Sequence, residues 1–334
     1  MEKITLAHGS GGKLMHQLID SVFLEQFSNK ILREKKDSAV FSLGQTRFAF
    51  TTDSYVVDPL FFPGGDIGSL AVYGTVNDLS VCGARPRYLA CGLIVEEGLD
   101  RGIVERIARS IRNAALKAGV EVVTGDIKVV ERGHCDKLFI STSGIGIVDR
   151  MTDLSLDRVR IGDSVIASGT IGDHAISILS QREGLNLGSR IVSDSAPLNG
   201  LTARIVSVSR HVRFMRDPTR GGLAATLNEI VTKRKFGIVI DERALPIRPS
   251  VKTACELVGF DPLSLANEGK IVVIVGQQDA RRVLSVMRSH RYGTAARVIG
   301  KIVPGPAGKV ILNTSVGSRR IVEMPSGEQV PRIC

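Results

Sequence analysis

The chain has 334 residues, 43% hydrophobic and 23% charged, enough for about two domains of ~150 residues with a sizeable core. Its net charge of +10 comes with 11 Phe, 4 Tyr and no Trp, too few aromatics to interleave with a basic stripe as single-stranded nucleic acid requires, so a basic face for an acidic ligand or protein is the simpler reading. No apolar run nears the ~20 residues that span a bilayer, the first residues lack a secretory pattern, and five cysteines without a C-x-x-C pair make no disulfide framework; a cytoplasmic protein with no membrane or nucleic-acid partner is expected.

A glycine-rich opening, Thr5 to Lys13, precedes a helical pattern of Leu14, Leu18 and Val22. Alternation over Gln45–Thr52 predicts a strand ending at Asp53, and Ile67–Val81 has helical spacing stopped by Gly83 and Pro86. Leu89–Val95 reads as a strand, Ile103, Ile107, Ile111 and Ala115 as a helix closed by Gly119, then Val120–Thr124 and Leu138–Val148 as strands. The polar stretch 151–160 suits a linker. Beyond it, helices are expected near 173–183, 198–212, 220–234, 249–258 and 279–290, with strands at 164–167 and near 238–241, 270–275 and 296–303. Residues 313–334 are polar, contain Gly317, Pro325, Gly327 and Pro331, and end at Cys334. They read as a mobile arm whose last ~17 residues would reach roughly 55 Å at ~3.3 Å each. The expected divisions are a glycine-rich segment and helix (1–40), a first domain (41–150), a second α/β domain (151–312) and the arm (313–334).

Several residues invite chemistry. Gly9, Gly11 and Gly12 permit close backbone approach to an anion, and Lys13 adds charge at a helix start; a plain flexible N-terminus is the competing reading. Asp53, Asp78 and Asp126 each stand at or just beyond an apolar element, where converging carboxylates would hold Mg²⁺ while substrate phosphates complete its shell; singly, each Asp is equally a turn former or cap. Asp78 interrupts a largely apolar helix, and a buried charge there needs a partner. Arg216-Asp217-Pro218-Thr219-Arg220-Gly221-Gly222 forms a turn into a helix, where amides and the two arginines, Arg216 and Arg220, could receive phosphate, or a plain helix start. Glu268, before a buried strand, stands at a site edge or in an exposed turn, and Lys128 is a base if its pKa is depressed or, by default, a surface lysine. His134, Cys135 and Asp136 are adjacent but make no zinc pattern. Cys334, a thiol on a flexible end, suits a covalent carrier or is an incidental exposed cysteine.

Taken together, His8–Lys13, Thr51-Thr-Asp-Ser54, Asn77-Asp-Leu79, Thr124-Gly-Asp126, Asp217–Gly222, Asn267-Glu-Gly269 and the terminal Pro331-Arg-Ile-Cys334 resemble the HypE family of hydrogenase maturation proteins, over almost the whole chain. The aspartates and the Asp-Pro-Thr-x-Gly-Gly turn also occur in aminoimidazole ribonucleotide synthetase, thiamine-monophosphate kinase and selenophosphate synthetase; the Pro-Arg-Ile-Cys end is specific to HypE. The resemblance implies an α/β (α+β) protein of two-domain PurM-like fold. Its N-terminal sheet would pair with that of a second chain into a dimeric β-barrel, beside a C-terminal α/β sandwich and a flexible tail. It also implies a homodimer with ATP and Mg²⁺. A HypF carbamoyltransferase would load Cys334, ATP-dependent dehydration would convert the thiocarboxamide to a thiocyanate, and a HypC–HypD complex would accept the cyano group for the [NiFe] hydrogenase iron. In this reading Gly11, Gly12, Lys13, Asp53, Asp78, Asp126, Asp217 and Arg220 bind nucleotide, Asp53, Asp78 and Asp126 hold the metal, and Lys128 and Glu268 are bases. Asp78 could instead orient the amide. Selenophosphate synthetase is the nearest rival, disfavoured because Ser10 stands where it carries Cys or selenocysteine; a thiol carrier without catalysis is the other.

Overall fold

Strand alternation builds the first sheet. Strands β1 (Ala39–Leu43) and β2 (Thr46–Tyr55) are joined by a two-residue turn in which Gly44 takes a positive φ of 59°, the backbone a tight hairpin turn requires. Along β2, Ala49, Thr51 and Tyr55 are buried while Phe50, Thr52 and Ser54 are exposed, so one face meets a core and the other does not. A two-residue ribbon, β3 (Phe61–Phe62) with β4 (Gly65–Asp66), leads into helix α3. The N-terminal helical segment comprises α1 (Lys13–Leu18), a π-helical turn (Ile19–Phe23) and α2 (Leu24–Phe27). The computed structural model describes residues 3–27, 29–184, 191–327 and 330–334; residues 1, 2, 28, 328 and 329 of the expected N-terminal segment and arm lie outside them.

Helix α3 (Ile67–Val81) has the predicted bounds. It starts where the Asp66 carboxylate accepts from the Ser69 amide at 2.9 Å, a capping contact typically worth ~1 kcal/mol. Nearly all its side chains are buried, the signature of a helix with core on every side. Strand β5 (Ala84–Glu96) follows, longer than predicted, then the amphipathic α4 (Arg101–Ala118), closed by Gly119 at φ 69°. Strands β6 (Glu121–Val130) and β7 (Leu138–Val148) complete a five-stranded sheet in the order β1-β2-β7-β5-β6. In this chain the sheet is open. Strand β6 is an edge strand exposed along almost its whole length, so a barrel requires a second sheet. The β6 bounds also revise the sequence expectation: Asp126 and Lys128 lie within the strand, not beyond its end.

A mixed seven-stranded sheet follows. Its order is β14-β13-β10-β12-β8-β11-β9, with β8 Ser164–Ala167, β9 Val212–Arg216, β10 Gly237–Asp241, β11 Val272–Val275, β12 Arg297–Val303, β13 Val310–Asn313 and β14 Arg319–Val322. Helices α5 (Asp173–Glu183), α6 (Asn199–Val208), α7 (Gly222–Val231), α8 (Pro249–Val258) and α9 (Ala280–Arg288) accompany it. Alternate β11 residues serve opposite faces. Val272 and Ile274 join a core with α7 residues Leu223, Leu227 and Ile230, whereas Val273 and Val275 join Leu201, Ile205, Val283 and Met287 of α6 and α9. The PurM-like α/β architecture thus has two sheets, with helix layers on both faces of the second.

In this structure the C-terminal arm is laid on the protein. Residues 319–322 pair with β13, and Val330 and Ile333 enter a core shared by α3, α4, α5 and α8. The segment is polar overall, and its few apolar side chains are the ones that dock. Burying Ile333 alone contributes about 2 kcal/mol.

Candidate active site

The site lies where the two sheets meet, and a row of buried acids defines it. Strand β2 brings Asp53 and Thr51 to its inner face, and α3 presents Asp78 opposite. The Thr51 hydroxyl donates to Asp78 Oδ2 at 3.0 Å and contacts the Asp37 carbonyl at 2.8 Å. From the second domain, β9 delivers Arg216 and Asp217. Arg216 pairs with Asp37 at 3.1 Å and with Glu229 at 3.0 Å, and Glu229 also meets His16 Nε2 at 2.8 Å. This chain of contacts ties the N-terminal helix, the first sheet and α7 together.

More acids than cations are buried here. Burial pushes Asp37 up to about 6 against the pull of Arg216, and burial with the charge of Asp37 pushes Asp217 up to about 8. Asp78 is driven well above the usual carboxylate range by burial and by Asp217, Asp37 and Asp53. Glu268 is raised likewise by burial, Asp217, Asp194 and Asp53, and its Oε1 has no hydrogen-bond partner among the described residues. Desolvated like charges favour protonation unless a cation arrives. Oxygen-only donors of this kind suit a hard divalent ion completed by water or phosphate, so Asp53, Asp78 and Asp217 fit such an ion even though no ready-made group of three ligands occurs among the described residues.

Asp126 does not join them within one chain. The sheet register puts Ser54, Ser141, Gly92 and Asp126 in one row, three strand spacings, or ~14 Å, from β2 to β6. Ser54 is on the exposed face and Asp53 on the inner one, so Asp53 and Asp126 point to opposite sides of the sheet. The expected metal set of Asp53, Asp78 and Asp126 is therefore not brought together within one chain. Asp126 instead pairs with Lys128 at the exposed edge, where that ammonium and the Ile127 amide hold its carboxyl below the usual range. Lys128 is equally exposed.

The glycine-rich segment closes over the Asp217–Gly222 turn. Gly11 has φ 75°, and a Cβ there would stand 2.6 Å from the Arg220 carbonyl; a Cβ on Gly12 would strike the Pro325 carbonyl. Arg220 donates to the Gly9 carbonyl at 2.9 Å and the Lys13 amide to Pro325 O at 2.8 Å, while the Lys13 side chain is exposed. Gly11 and Gly12 are therefore packed against the second domain and the C-terminal segment.

Two buried asparagines, present in the sequence motifs but given no role, act as clamps. Asn77 donates to the Ala196 and Glu268 carbonyls at 3.1 and 3.3 Å and accepts from the Leu198 amide at 2.8 Å. Asn267 donates to Pro218 and Leu265 carbonyls at 3.0 Å each and accepts from Gly172 N at 2.8 Å. Each fixes backbone beside an acid, and a signal was available in the sequence: a fully polar side chain next to a charged one inside an apolar element.

Cys334 reaches the same region. Its carbonyl accepts from the Val56 amide at 2.9 Å, three residues beyond Asp53, and Val330 and Ile333 lie with Ala175, Gly221, Leu265 and Ala266 around a gap of only about 10 Å³. The C-terminal segment therefore docks beside the turn, and its last residue is bonded to the chain three residues beyond Asp53.

Comparison with known proteins agrees with this architecture. Residues 35–148 match the model of the AIR synthase related protein N-terminal domain and residues 160–313 that of its C-terminal domain. Carbamoyl dehydratase HypE of Rhizobium leguminosarum bv. viciae is 50% identical over 99% of this chain and 95% of its own. A crystal structure of hydrogenase maturation protein HypE in complex with ATP has a TM-score of 0.83 at 48% identity, covering 99% of this chain and 100% of that one. A crystal structure of a HypE–HypF complex has a TM-score of 0.88 at 46% identity, covering 92% of this chain and 99% of that one. With that identity carried from the first strand to the terminal cysteine, the chain belongs to the HypE family of carbamoyl dehydratases.

Proposed function

We propose that this protein is an ATP-dependent carbamoyl dehydratase of hydrogenase maturation, acting on a carbamoyl group carried by its own Cys334. The observation that carries the reading is the docking of the C-terminal segment on the protein, its last residue bonded to Val56, three residues beyond Asp53. A full-length relationship to carbamoyl dehydratases and the nucleotide in a homologous structure support it.

In this reaction the thiocarboxamide oxygen takes the γ-phosphoryl group of ATP, giving ADP. The C–O bond then breaks with departure of phosphate, while two protons leave nitrogen and the C≡N bond forms on sulfur. Phosphoryl transfer asks mainly for positioning and charge stabilisation. Asp53, Asp78 and Asp217 would hold Mg²⁺, which when bound supplies neutralisation of the phosphate oxygens. Gly11, Gly12, Lys13 and Arg220 enclose the phosphate end, the first two through backbone and the others through charge. Glu268, whose proton affinity is raised by burial and by Asp217, takes a proton from nitrogen. Asp78, hydrogen-bonded to Thr51, orients the amide where it does not reach the metal.

Lys128 and Asp126 enter through a second chain. The outer face of the first sheet exposes Phe50, Tyr88, Ile94 and Ile147, and with the open β6 edge this is a surface that pairing of two sheets would cover. A homodimer formed there puts Asp126 and Lys128 at a subunit boundary, with Lys128 as the second base. A HypF-type transferase loads the thiol, as a homologous HypE–HypF complex supports, and a HypC–HypD pair accepts the cyano group. Among the described residues no helix is long and apolar enough to cross a membrane.

The deciding experiment is the mass of the C-terminal peptide after carbamoylation by the transferase, with and without Mg-ATP and with Cys334→Ala as control. A carbamoyl adduct on Cys334 that loses one water only with ATP is the expected result. An adduct that persists leaves a carrier without catalysis, and no adduct at Cys334 refutes the reading.

A further inference from the structure

Helix α5 grips the C-terminal segment by its backbone. His174, fully buried in the first turn, meets the Ile333 carbonyl through Nε2 at 2.8 Å and the Ser193 hydroxyl through Nδ1 at 2.7 Å. Two turns further on, Arg182 donates to the carbonyls of Pro331, Arg332 and Asp58. A carbonyl only accepts, so His174 Nε2 carries the proton; burial pushes the imidazole pKa down, and a neutral ring then leaves Nδ1 as acceptor for the Ser193 hydroxyl proton. Phe62 packs edge-on against the ring at 5.5 Å between centroids, fixing its plane.

The segment that sets this tautomer also touches the candidate base. Ser193 Oγ accepts from the Ser195 amide at 3.1 Å, and Asp194, between them, accepts from the Glu268 amide at 3.0 Å and pairs with Lys270 at 2.9 Å. A Cβ on Gly269 would collide with the Asp194 carbonyl, so residues 193–195 and 268–269 are in close backbone contact. One rigid run of chain therefore joins the imidazole under Ile333 to Glu268.

We propose that His174 is a positioning residue for the dehydration step, its Nε2–H holding the Ile333 carbonyl so that the adjoining Cys334 is seated in the cleft in register with Glu268. The inference rests on Cys334 being the carrier thiol, but seating can be read without turnover. His174→Gln places an amide donor near the Nε2 position and keeps the contact to Ile333. His174→Asn places it near Nδ1, keeping Ser193 and losing Ile333. Carboxypeptidase removal of Cys334, followed by intact mass, reports how often the tail leaves its seat. Thiol labelling of the buried Cys255 reports general loosening. Losing one hydrogen bond worth about 1 kcal/mol raises the unseated fraction about fivefold.

The expected result is trimming about fivefold faster in His174→Asn and near wild type in His174→Gln, with Cys255 labelling unchanged. In the loaded protein, single-turnover dehydration falls in Asn and recovers in Gln at equal ATP affinity. Equal trimming in all three proteins overturns the proposal, as does acceleration in both variants or in step with Cys255. If wild-type Cys334 is never dehydrated while trimming behaves as expected, the functional reading fails and the seat stands.

Discussion

Asp78 shows how one residue can oppose stability and serve a reaction. Its carboxyl is pushed far up by burial and by three neighbouring acids, so Asp78→Asn removes a repulsive charge and keeps an acceptor for Thr51. The expected outcome is a Tm equal to or above wild type with single-turnover dehydration reduced at least ~100-fold, the scale on which loss of a charged transition-state contact acts. Asp217 gives a pH test with a definite sign. Its folded pKa of about 8 exceeds the ordinary 3.8, so between those values the folded state binds the proton that the unfolded state has released, and stability falls as pH rises. In metal-free protein, the Tm of Asp217→Asn relative to wild type should climb from pH 5 to pH 8 and level off above. Adding Mg²⁺ should shrink the climb; a Tm difference independent of pH in metal-free protein contradicts the assignment.

At the scale of elements, the glycine-rich segment is a packing joint, and its glycines have separate reasons. Gly11→Ala forces an L side chain into a positive φ and against the Arg220 carbonyl, a combination expected to cost about 1–3 kcal/mol. Scanning calorimetry should show a Tm several degrees lower and titration a weakened ATP affinity. The sequence carried the regular elements whose burial is one-sided or complete: α3 and α8 fall on their predicted residues, and β10 and β12 within one residue of theirs. It did not carry β9, because Val212–Arg216 has charged residues at two of five positions and follows α6 after only three residues, so the helical pattern is extended to its first residue, 212. β1 and β14 were missed for a related reason: each is short with at most one fully buried residue, so little alternation is imposed on it. The site was legible as residues and illegible as geometry. Asp53, Asp78, Asp217 and Glu268 lie close enough to act on one another's proton affinity, whereas Asp126 is separated from them by a pleat parity that becomes visible only when β6 is known to run through to Val130.

At the scale of the molecule, the first sheet is unfinished in a single chain. Its outer face and β6 edge expose large apolar side chains, including Ile94 at 45% and Phe50 at 44%, on a protein whose other sheet is covered on both faces. Ile94→Glu with Phe50→Glu should convert a dimer to a species with the mass of one chain in light scattering, with little loss of far-ultraviolet helix signal. If, as proposed, Lys128 and Asp126 act across the boundary, dehydration should fall with dimer content, and mixing Lys128→Ala with an Asp78→Asn chain should restore part of the activity through one intact composite site. A fully active monomer would contradict that placement.

The way the last four residues are held has one more consequence. Arg182, His174, Asp58 and Val56 all hold main-chain oxygens of residues 331–334, contacts made to the backbone rather than to the sulfur. A lock that feels only the handle cannot distinguish a loaded tool from an empty one. The bare tail is thus a resident competitor, tethered at an effective concentration on the order of millimolar, against a loaded tail offered by another molecule. If Cys334 is the carrier thiol proposed above, turnover in trans is expected to be suppressed and each chain to work mainly on its own cargo, with direction set by nucleotide and by the proteins that load and unload the thiol.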